Sequence, residues 1–72
     1  MTNTTLLNEY INKSGYKRSY IAEKLDLSAY GFALKCNNES EFKASEIDIL
    51  CELLNIGIEH RMAIFFAKQV DL

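Results

Sequence analysis

Between Ile47 and Leu54 the apolar residues Ile47, Leu50, Cys51 and Leu54 fall at i, i+3, i+4 and i+7, the repeat of one helix face. This is the most regular stripe in the chain, and it predicts a helix over 44–54 that forms the backbone of the core. Glu46 and Asp48 near its start suit the positive end of the helix dipole, and Asn55 to Gly57 end it with residues that accept a left-handed backbone. Leu6, Leu7, Tyr10 and Ile11 repeat the spacing earlier, predicting a helix over 4–14 capped by Thr4 or Thr5, stopped at Gly15 and preceded by a loose Met1 to Asn3. Tyr10 belongs at the edge of its buried stripe.

A third set, Ile21, Ala22 and Leu25, places a helix over 17–25. Lys17 and Arg18 open it, where positive charge opposes the dipole, so they face either solvent or a phosphate or carboxylate partner. Asn37 to Glu41 is a polar loop, with Phe42 as an aromatic plug between the third and fourth helices. A last helix over 59–67 contains the run Ile64, Phe65, Phe66. Neighbouring helix positions point about 100° apart, so one of the two rings belongs at or near the surface. Either the pair clasps the bundle from two sides or one ring joins a binding patch. Val70 and Leu72 dock or fray. The pattern describes an all-α domain over 1–72, a small bundle of about five short helices.

From Ser19 to Asn38 the spacing describes two short helices crossing through a tight turn. Ile21, Ala22, Leu25, Leu27 and Phe32 point inward, Asp26 takes the turn, and Ser28 caps a helix over 28–36. This is a helix-turn-helix arrangement, in which the second helix is presented to a target. With Phe32 inward, its outward positions are Ser28, Ala29, Tyr30, Ala33, Leu34 and Asn37. Major-groove readout relies on Arg or Lys for guanine and Asn or Gln for adenine. Only Asn37 is of that kind, which suggests a frame built for DNA but turned to an apolar protein surface.

Composition narrows the partners. A chain of 72 residues buries only about 60% of the surface its unfolded form exposes, so its stability is marginal. Eight basic against ten acidic residues, a net charge of -2, argue against tight sequence-independent DNA binding and favour a basic partner. Cys36 and Cys51 are expected as free core thiols in a reducing cytoplasm. With the single His60 they lack the number and spacing of a metal site, and no cofactor is implied. No apolar run approaches a membrane span of roughly 20 residues. One His, no Gly-rich phosphate loop and no nucleophile paired with a base argue against an enzyme, and the Asp48 and Glu52 pair is a like-charge surface pair rather than a catalytic dyad.

Over most of its length the chain resembles the small Cro-like and repressor-like helix-turn-helix proteins of temperate bacteriophages. The residues that carry the resemblance are the YIAEKLDL run from Tyr20 to Leu27, then Lys35 and Asn38, FKASEI from Phe42 to Ile47, LLNI from Leu53 to Ile56, and IFF from Ile64 to Phe66. More narrowly it resembles the modulator-of-repression proteins encoded beside the lysogeny repressor in lactococcal temperate phages. That resemblance implies an antirepressor acting in the bacterial cytoplasm, which binds the repressor's DNA-binding domain, releases it from operators and permits the lytic programme. The docking residues would be Tyr30, Ala33 and Leu34, helped by the aromatics Tyr20, Phe65 and Phe66, with Asp26, Glu39 and Glu41 as rim charges. The alternative is a Cro-like regulator that binds operator DNA itself, with Lys17, Arg18, Lys35 and Lys43 on phosphates and Asn37 on a base; the two coexist if DNA is contacted in a ternary complex. Two positions depart from the DNA-reading pattern. Asp26 stands where Gly is frequent, and Lys35 where an apolar inward residue is usual, so its stem must snorkel along the core or the helix must be slightly rotated.

Overall fold

In the computed structural model, which describes residues 1–66, Asn3 rather than Thr4 or Thr5 starts the first helix. Its side-chain oxygen accepts the Leu6 N–H, and α1 runs Thr4–Ser14 to Gly15, whose φ of 75° is the left-handed end expected there. The preceding residues are not loose. Asn3 N–H donates to the Ile64 carbonyl, and the buried Thr2 exchanges two hydrogen bonds between its backbone and the Asn38 amide. Thr4 and Thr5 lose the cap because the chain enters through these long-range bonds.

Four further helices follow: α2 (Arg18–Lys24), α3 (Ala29–Cys36), α4 (Ala44–Leu54) and α5 (Ile58–Phe65). They agree with the hydrophobic pattern within a residue or two, and α4 matches at both ends. The last helix starts one residue before the expected Glu59 and ends at Phe65, two before the expected Ala67, where Phe66 leaves helical backbone; the docking of Val70 and Leu72 lies outside the described residues. No strand occurs among the described residues.

Three helices stop in the same way without glycine. Asp26, Asn38 and Asn55 have φ of 58°, 63° and 59°. Around each, the next N–H reaches back to a carbonyl of the last turn: Leu27 to Ala22, Glu39 to Leu34, and Ile56 to Cys51. These closures satisfy carbonyls that the helix leaves free, and Asp and Asn tolerate the left-handed backbone at modest cost. The turn between α2 and α3 is therefore fixed by Asp26 on one side and by Ser28 on the other, where the Ser28 hydroxyl accepts the Gly31 N–H at 2.9 Å. Ser28→Ala should lower unfolding stability by about 1 kcal/mol. Chemical denaturation checks this, and an unchanged midpoint would show that α3 does not depend on its cap.

The core gathers Leu7 and Ile11 of α1, Ile21 and Ala22 of α2, Phe32 and Cys36 of α3, Leu50, Cys51 and Leu54 of α4, and Ile64 and Phe65 of α5. Phe42 joins it from the loop before α4. It meets Phe32 edge-on at 6.3 Å and Phe65 at 5.6 Å, so its ring bridges α3 and α5 rather than simply filling a gap between α3 and α4. Tyr10 is half-buried at the core edge as expected, and its hydroxyl bonds to His60 Nδ1. Both cysteines are buried and free. Burial pushes the Cys36 thiol up, with Arg18 pulling it part of the way back; burial raises Cys51 too, against an opposing pull from Arg61.

Candidate functional site

α3 is an eight-residue helix with only three buried side chains, Phe32, Lys35 and Cys36. Everything else on it is available or partly so. Tyr30 stands 75% exposed, the largest free aromatic surface among the described residues. Ala29, Ala33 and Asn37 are exposed beside it, and Leu34 is half-buried at the margin. Asp26, Glu39 and Glu41, at the two ends of this helix, are exposed as well. The outward side of α3 is thus mainly apolar and small, with exposed acidic residues in the segments at its two ends.

Lys35 is a correction. The sequence offered it as a phosphate contact, with its stem along the core and its ammonium in water. Instead the whole side chain is buried, and Nζ lies 2.5 Å from Glu46 Oε1 of α4. The same carboxylate oxygen accepts the Lys43 N–H at 2.8 Å, so Glu46 closes the first turn of α4 and neutralises Lys35 at once. A lysine head buried this far from water needs a carboxylate, which makes snorkelling unnecessary. Burial alone would raise the Glu46 carboxyl, but the Lys35 ammonium and the Lys43 N–H together hold it below the usual glutamate value. Glu46 was legible only as a charge suited to the helix dipole. The signal for its second role was the inward lysine itself, which demanded an acid somewhere across the core.

The other candidates scatter. Phe65, offered as a docking residue, is 4% exposed and belongs to the core, whereas Phe66 caps the end of α5 at 51% exposure. The run therefore resolves as one ring in and one ring out, by the angular step of the helix. Tyr20 does not join Tyr30. It opens on a groove between α2 and α4 lined by Tyr16, Lys24, Ile49, Glu52 and Leu53, packed against Tyr16 at a 33° tilt and 5.1 Å, with the Lys24 ammonium 5.4 Å from its ring centroid. Of the proposed phosphate contacts, Lys17 and Lys43 are exposed, while Arg18 donates to Asn8 on α1. The Asp48 and Glu52 carboxylates are on the surface, but Asp48 is paired with Arg61 of α5. Among the described residues, no cluster of three or more His, Cys, Asp or Glu side chains is placed to hold a metal ion, and no helix is long and apolar enough to cross a membrane.

The chain matches no family model, no curated protein and no solved structure. What it does has to follow from its own residues.

Of the apolar residues exposed on and just after α5, the sequence had pointed only to Phe66. Ile58, Met62 and Phe66 are exposed at i, i+4 and i+8 along α5. Their four-residue repeat was visible, but Ile64 and Phe65 beside them satisfied the core and drew the assignment inward.

Proposed function

We propose that the chain is a protein-binding regulator on a helix-turn-helix frame, an antirepressor that uses α3 to cover the DNA-binding domain of a phage lysogeny repressor in the bacterial cytoplasm. The observation that carries this reading is the composition of the presented face. Tyr30, Ala33 and Leu34 stand where base-reading side chains would be needed, and the one lysine of α3 is turned inward and neutralised. The loss of Lys35 as a phosphate contact weakens the alternative of direct operator binding, which is left with Lys17, Arg18, Lys43 and Asn37. The resemblance of the sequence to modulators of repression supplies the partner, and the acidic residues around α3 suit a basic, nucleic-acid-binding surface.

Interface energy concentrates in a few residues, often tyrosines. Tyr30→Ala should therefore weaken binding to the purified DNA-binding domain of the adjacent repressor by roughly 2 kcal/mol or more while leaving thermal unfolding unchanged. Calorimetric titration reads the first and circular dichroism the second. Unaltered affinity would remove α3 from the interface. A gel-shift titration with added salt separates the readings further, since direct operator binding predicts a steep salt-dependent loss and the docking model predicts release of the repressor from its operator.

A further inference from the structure

α3 is held to the bundle in an unusual way for a helix that presents a binding face. Its apolar anchors are Phe32 and Cys36, one turn apart and nearly in line along the axis. Two anchors in a line fix the position of a helix but leave its rotation about that line weakly defined. Lys35 lies beside this line, and its Nζ reaches Glu46 at 2.5 Å across the core. Hydrogen-bond geometry is directional where apolar contact is not. The flexible lysine stem absorbs a small turn, but rotation of α3 far enough to carry Lys35 towards solvent would pull the ammonium from the carboxylate and leave Glu46 buried without its cation.

We infer that the Lys35–Glu46 pair is a positioning device: it sets the rotation of α3 and so decides that Tyr30, Ala33 and Leu34 form the outward face. This deepens the docking reading and rests on it for its consequence, though not for its geometry. A second contact acts at the same end of the helix, where the Asn38 amide clasps the Thr2 backbone at 2.7 and 2.8 Å. α3 is thus registered by polar bonds at its C-terminal end, while Tyr30 projects freely near the other. Buried ion pairs often add little net stability compared with apolar residues of similar volume, so orientation rather than stability is the role this pair can hold. Glu46 suits the task because its Oε1 is itself fixed by the Lys43 N–H. The lysine is therefore aimed at an atom that α4 holds still.

The test replaces both partners at once, as Lys35→Met with Glu46→Leu in the full chain. Thermal unfolding should stay close to the wild-type temperature, the relief of two buried charges offsetting the lost Lys43 N–H contact at the start of α4. Affinity for the purified repressor DNA-binding domain should nevertheless fall at least tenfold, and the amide resonances of Ala29 to Cys36 should broaden or shift in two-dimensional spectra while those of α1 hold. Lys35→Arg alone, which keeps a cation facing an intact Glu46, should leave binding tight. A double variant that binds within twofold of wild type with superimposable α3 resonances overturns the inference. If that double variant does not fold, the alternative apolar pair Lys35→Leu with Glu46→Met, which also removes the directional bond and both charges, carries the same two measurements. If the wild-type chain itself ignores the repressor domain, the docking reading falls, and the α3 resonances still decide the positioning role.

Discussion

Lys35→Met alone should lower the unfolding free energy by about 3–5 kcal/mol, because it strands the Glu46 carboxylate in the core without its cation. A domain of 72 residues has a total stability of roughly 4–11 kcal/mol at about 0.05–0.15 kcal/mol per residue, so the variant should lose a large share of it. Urea denaturation followed by circular dichroism measures it. The pH dependence identifies the cause. In the wild type, Glu46 is held below its ordinary value, so its contribution is fully present above about pH 4.3 and is lost as pH falls through the lowered folded value. Removing Lys35 takes away the main stabiliser of the charged form and leaves burial pushing the carboxyl up against Lys43 alone. The variant should then be relieved by acidification, since a protonated Glu46 costs less to bury. The stability gap between the two proteins should narrow as pH falls from about 7 to about 4. A gap that stays constant over that range would show that Glu46 is not the origin of the loss.

Phe42→Ala should be nearly as damaging, by about 3–5 kcal/mol, although Phe42 lies in a loop. Its ring is 8% exposed and meets two partners edge-on, Phe32 of α3 at an interplanar angle of 68° and Phe65 of α5 at 85°. Removing it opens a cavity between two helices that have no other aromatic bridge among the described residues, and it forfeits the edge-to-face contacts as well. Phe66→Ala is the contrasting control. That ring is half-exposed at the end of α5, and its loss should change stability by no more than about 0.5 kcal/mol. Differential scanning calorimetry of the two variants settles the contrast. Equal losses would mean that the two rings share the core, against the one-in, one-out placement.

Much of the fold was legible because α-helical periodicity is a local property. Ile47, Leu50, Cys51 and Leu54 specify one face of α4 without reference to the rest of the chain, and Gly15, Asp26, Ser28 and Asn55 mark helix ends by their own backbone and side-chain chemistry. The exposed side of α3 followed by the same logic, since placing Phe32 inward puts Tyr30 and Ala33 outward. The misassignments share a different physics. Thr4 and Thr5 are reasonable caps by composition, but Asn3 takes the role because Asn3 N–H and Thr2 are tied to Ile64 and Asn38, 61 and 36 positions away. Tyr20 is a surface aromatic as expected, yet the packing of α2 on α4 turns it towards Ile49 and Leu53 rather than towards Tyr30.

The sequence by itself determined the helices, most of their ends, the apolar stripes and the poverty of base-reading residues on α3, because each depends on residues within about one or two turns of one another. Only the tertiary structure decided which charges are free to meet a partner. Lys35 is a cation on paper and a neutralised core residue in the fold, since its partner Glu46 lies 11 positions away and no local period connects them. Which of Phe65 and Phe66 is buried was decided the same way, by how α5 is rotated against Phe42 and α1. Burial and pairing are properties of the assembled elements, and a single chain position does not carry them.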